Sequence, residues 1–114
     1  MIMKTSEKEE NGILTVDFDC IWGGMVYGKL KLQFLIGFCY VHFTVEKWSH
    51  KVLTMIRHDL ESNVTPFVKD RGYNQIIATF NKNTGDGNVK KWAKFIKLVG
   101  FPEPEPTYIS ILEV

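Results

Sequence analysis

Cys39-Tyr40-Val41-His42-Phe43-Thr44-Val45-Glu46 and Tyr73-Asn74-Gln75-Ile76-Ile77-Ala78-Thr79-Phe80 are the two strand-like runs on which the fold turns, because the stretch between them has the pattern of helix. In the first run Cys39, Val41, Phe43 and Val45 point one way and Tyr40, His42, Thr44 and Glu46 the other, which is the period of a strand with one apolar face. Ser49 stands where an N-cap is expected, and Val52, Leu53, Ile56 and Leu60 then recur at helical spacing over a polar opposite face. Pro66 removes a donor and crowds the preceding turn, so Thr65-Pro66 is expected to start a short second stretch of helix ending at Gly72. The order strand, helix, strand predicts a crossover between neighbouring strands.

Upstream, Leu14, Val16, Phe18 and Cys20 alternate with Thr15, Asp17 and Asp19, and Gly23-Gly24 supplies a turn. Beyond it Val26, Gly28, Leu30, Leu32, Phe34 and Ile36 share one face, with Tyr27, Lys29, Lys31 and Gln33 on the other, so the two runs predict a hairpin. An unbroken strand from Val26 to Glu46 would far exceed the usual length of roughly 3–10 residues, which requires a turn or bulge near Gly37. Residues 1–11 are polar and end in Asn11-Gly12; they are expected to be a flexible tail, with one domain over 12–114. Downstream, Asn81 to Asn88 is turn-rich, and Val89, Trp92, Ala93, Ile96 and Val99 mark a second main helix stopped by Gly100. Three prolines at 102, 104 and 106 then lead into a last strand from Tyr108 to Val114. The expected fold class is mixed α/β (α+β), with a central, mostly antiparallel sheet and two main helices.

At 114 residues the chain fits one core, since domains cluster near about 100–150 residues. Its 45% apolar and 24% charged residues place it among globular chains rather than disordered ones. A net charge of +1 gives no field for steering nucleic acid or anionic lipid. Lys90, Lys91, Lys94 and Lys97 are read as a solvated helix face. Cys20 and Cys39 are the only cysteines, both inside apolar runs, which predicts buried thiols in a reducing cytoplasm and no metal site. No apolar run approaches the ~18 residues of a membrane span, and the opening Met1-Ile2-Met3-Lys4 has no export signal pattern.

The segment from Cys39 to Phe101, with its strand, helix, strand, Asn-containing loop and a helix ending in Phe95-Ile96-Lys97-Leu98-Val99-Gly100-Phe101, resembles the cofactor-binding half of GNAT-type N-acetyltransferases. The first quoted run is similar to the family's fourth strand and the second to its fifth. The chain has no room before Ile13 for the family's usual first strand and two helices, a truncation similar to small GNAT-like proteins of bacteriophages. The resemblance implies a truncated GNAT-like fold, acetyl-CoA as cofactor, an amine as acceptor and, for a phage protein, a bacterial host as setting.

It also implies a site. The family binds acetyl-CoA where the fourth and fifth strands splay, with strand backbone on the pantetheine and the next helix N-terminus on the pyrophosphate, where free N–H groups and the helix dipole favour an anion. Mapped onto this chain, the cofactor-binding candidates are Thr44, Val45, Lys47, Ser49, His50, Lys51 and Asn83. Thr44, Lys47 and Ser49 fall where the family has Arg or Gln, Gly, and Gly or Ala, so both glycines are replaced. Glu46 is the candidate general base, His42 shares its face and titrates near neutrality, and Tyr108 is the candidate proton donor because Ile96 occupies the family's tyrosine position. Two functions follow: an acetyl-CoA-dependent N-acetyltransferase, or a GNAT-like fold without catalysis that binds a host enzyme or serves a phage structure. A homodimer through an open sheet edge is a third.

Overall fold

The computed structural model describes residues 1–45, 49–79, 89–102 and 109–114, and the side chains of these except 79, 89–93 and 109. The described strands are β1 (Ile2–Glu10), β2 (Ile13–Trp22), β3 (Met25–Leu35), β4 (Phe38–Thr44), β5 (Gln75–Thr79) and β6 (Ile109–Glu113). They form one sheet in sequence order, antiparallel throughout except for the parallel β4–β5 pair. The helices are α1 (His50–Asp59), α2 (Thr65–Asp70) and α3 (Val89–Leu98). The expected mixed sheet with a strand-helix-strand crossover is what forms.

Residues 1–11 depart from expectation: they are not a tail but β1 and its turn. Asn11 and Gly12 both have positive φ (53° and 80°), the left-handed pair of a tight hairpin turn, which folds Ile2–Glu10 back along β2. The strand is polar because it is an edge with little to bury, so composition alone makes it look like a tail.

One face of the sheet is the core. Val16, Phe18, Cys20, Leu30, Leu32, Phe34, Cys39, Val41, Ile76 and Ala78 are buried against Ile56, Leu60, Val64 and Val68 of the α1–α2 stretch and Ile96 of α3. Each fully buried aliphatic such as Leu32 or Ile56 contributes about 1.5–3 kcal/mol relative to exposure, and a one-residue slip would turn that whole set to water. The alternation is broken once. Cys20 pairs with Gly28 and Ile21 with Val26, so Tyr27 is an extra residue in a β-bulge. The bulge reverses the expected sides: Val26 is exposed, and Tyr27 reaches Asp59 of α1.

The helical segment also differs from two separate helices. Between α1 and α2 the backbone widens into a π-helical turn, Leu60–Val64, whose end is closed by the Thr65 N–H donating to the Leu60 carbonyl. The wider turn carries the chain into Pro66, which has no N–H to offer and whose ring needs room against the preceding turn.

Candidate active site

Among the described residues β4 and β5 pair in parallel at Tyr40 with Ile77 and Val41 with Ala78. On its other side β4 stays paired with β3 through Thr44, opposite Lys29. On its β5 side the described ladder reaches Val41 and Ala78, one residue short of the end of β5 at Thr79. Gly28 helps set the end of β4, because a Cβ there would meet the Thr44 carbonyl and the Val45 side chain at 3.1 Å. Val45 packs against the core, which leaves its backbone as the part available to a ligand.

Close in sequence, α1 begins. The Ser49 hydroxyl accepts the Val52 N–H at 3.1 Å, and the Ser49 carbonyl accepts the Leu53 N–H. That leaves the His50 and Lys51 N–H groups without intrahelical acceptors. No acidic residue lies in the first turn of α1, and Ser49, His50 and Lys51 are exposed.

His42 and Thr44 lie on the sheet face away from the helices, at one end of a half-open cavity of about 570 Å³. Nε2 of His42 lies 3.1 Å from Oε1 of Gln33. Loss of water against the sheet, and then the Lys31 ammonium facing it across the strand pair, push its pKa below the ordinary histidine value. The imidazole is thus neutral at pH 7, and with Nε2–H donating to Gln33 its Nδ1 is an open acceptor. Glu46, Lys47, Asn83 and Tyr108 lie outside the described residues. The structure thus brings His42 and Thr44 together and sets Ser49, His50 and Lys51 at the helix start.

Sequence patterning missed one buried polar cluster. Asp59 is 3% exposed; its carboxylate receives the Tyr27 hydroxyl at 2.5 Å, the Asn63 amide at 2.8 Å and the Met1 ammonium at 2.5 Å. Its place three residues after Ile56, on the apolar stripe, was the available signal. No described group of three or more His, Cys, Asp or Glu is placed to hold a metal ion, and no described helix is long and apolar enough to cross a membrane.

Solved structures share this architecture. A Sphaerobacter thermophilus protein assigned as an acetyltransferase superposes with a TM-score of 0.55 at 11% identity, over 90% of this chain and 66% of its own. An acetyltransferase of the GNAT family from Bacillus anthracis does so with a TM-score of 0.56 at 11% identity, over 87% of this chain and 65% of its own. The chain has the GNAT fold and spans just under two thirds of the length of each of these neighbours. No family model and no curated protein matches the sequence.

Proposed function

We propose that this protein is an acetyl-CoA-dependent N-acetyltransferase. The observation that carries the proposal is the GNAT fold itself, with its parallel β4–β5 pair and the capped start of α1 at Ser49 following β4. The backbone at Thr44 and Val45 would take the pantetheine amides. The His50 and Lys51 N–H groups would hold the pyrophosphate, with the Lys47 and Lys51 side chains adding positive charge and Asn83 a further contact. The cofactor supplies an activated acetyl thioester; the chain's part is to orient the acceptor amine, take its proton and return one to the departing thiolate. Glu46 is the proposed base, His42 a neutral acceptor on β4, and Tyr108 the proposed proton donor.

Acetyl-CoA at about a hundred times its Kd should add about 2.7 kcal/mol to stability, read as a rise in melting temperature. An unchanged melting temperature at millimolar acetyl-CoA overturns the proposal. Where the rise is seen, Glu46→Gln is expected to slow turnover and keep the rise; equal turnover removes Glu46 from its role.

Thr44 and Ser49 in place of the family's Arg or Gln and its last glycine favour one second reading, a GNAT fold that binds a host enzyme without catalysis. Its signature is no response to acetyl-CoA together with a stoichiometric partner recovered from bacterial lysate.

A further inference from the structure

The sheet face opposite α1 and α3 carries an ordered set of charges. Across the strands, Asp17 faces Lys31, which faces His42; one pair further on, Asp19 faces Lys29, which faces Thr44. Each row therefore runs from an acid on β2, through a lysine on β3, to a polar group on β4. These six residues line the same cavity of about 570 Å³, within the roughly 300–1,000 Å³ range of small-molecule sites.

Directly opposed Asp and Lys side chains normally satisfy one another. Here none of the four forms an ion pair among the described residues, and Asp17 instead accepts the Ser6 hydroxyl at 2.7 Å. Two acids and two lysines cancel, so the face suits neither a polyanion nor a polycation. It suits a ligand that carries both charges side by side.

We infer that this face holds the acceptor, and that the acceptor is a small α-amino acid with a second amine on its side chain. Its α-ammonium lies over Asp17 and Asp19, and its α-carboxylate over Lys29 and Lys31. Its side-chain amine reaches across β4 toward His42 and Thr44. Neighbouring strands stand about 4.8 Å apart, a step that the methylenes of an ornithine or lysine side chain cover. Lys31 favours a neutral imidazole and disfavours a charged amine at the same end, which suits an amine that must lose its proton to react. Only the fate of that amine rests on the acetyl-transfer reading; the binding of the head group does not.

The test is a titration of the full chain, without acetyl-CoA, followed through backbone amide NMR shifts. L-Ornithine is expected to shift the amides of Asp17, Asp19, Lys29 and Lys31, and L-norvaline, which keeps the head group, to shift the same set. Putrescine lacks the carboxylate and 5-aminopentanoate the α-amine; each should bind at least about tenfold more weakly. Asp17→Asn and Lys31→Gln should each weaken ornithine about tenfold, with an unchanged melting temperature showing that both fold. No shifts at millimolar ornithine, shifts confined to other residues, or equal binding of putrescine or 5-aminopentanoate overturns the inference. Ornithine binding with no thermal response to acetyl-CoA retires the transferase reading and leaves this site standing.

Discussion

The hydroxyl of Tyr27 donates a 2.5 Å hydrogen bond to Oδ2 of Asp59, tying the bulge of β3 to the buried end of α1. Desolvation, and then this bond to the carboxylate, raise the tyrosine pKa well above its ordinary value, so the phenol stays a donor. Tyr27→Phe leaves the ring in place and deprives a buried carboxylate of one of its three partners. The expected loss is about 1.5–3 kcal/mol, measured as a lower urea midpoint with an unchanged m-value. A loss below about 0.5 kcal/mol, a third of that range's lower end, would show that the remaining partners suffice.

Ser49 separates helix capping from cofactor approach. Ser49→Ala removes the acceptor for the Val52 N–H and should cost about 1 kcal/mol, whereas glycine should cost only about a few tenths. Ser49→Gly restores one of the replaced family positions and should enlarge the rise in melting temperature with acetyl-CoA. A smaller rise in the glycine variant would place the pyrophosphate elsewhere.

Burial pushes the Cys39 thiol up to about 12, and burial followed by the Asp59 charge pushes Cys20 up to about 11. Unfolded, both ionise near 9.0. Between those values the folded chain keeps protons that the unfolded chain has lost, so stability is full below pH 9 and declines through 11 and 12. Urea unfolding at pH 8 and pH 10 should show this loss, and Cys39→Ala should lessen it. Both thiols should resist iodoacetamide at pH 7.5 until the chain unfolds.

His42 titrates below the ordinary histidine range, so protonation is resisted in the folded state. As the proton acceptor it would keep its open nitrogen to lower pH, and the acid limb of turnover against pH should lie below that range. His42→Gln is expected to lower turnover and abolish that limb. An unchanged profile would leave His42 a positioning group for Gln33 and the cavity.

The two helical stripes and the alternation in β2, β3 and β4 were legible because each depends on neighbours within a few residues: Val16, Leu32, Val41 and Ile56 are buried where their periods put them. The site was legible only in part. The parallel pairing of β4 with β5 across the helical crossover followed from the order of elements. The capping of Val52 by the Ser49 hydroxyl and the contact of His42 with Gln33 are set by tertiary structure. In sequence Asp17 and Asp19 only alternate with the apolar residues of their strand; the register alone sets them in line with lysines and with β4.

The sequence by itself determined the core-facing residues of the main strands and helices, and their order from Ile13 onward, because side-chain period and turn residues act locally. Tertiary structure alone decided that Ile2–Glu10 pairs as β1, that Tyr27 leaves its strand's alternation, and that Asp59 is buried with three partners. Each of these depends on groups far apart in the chain, whose pairing energy appears only once the sheet has closed against the helix.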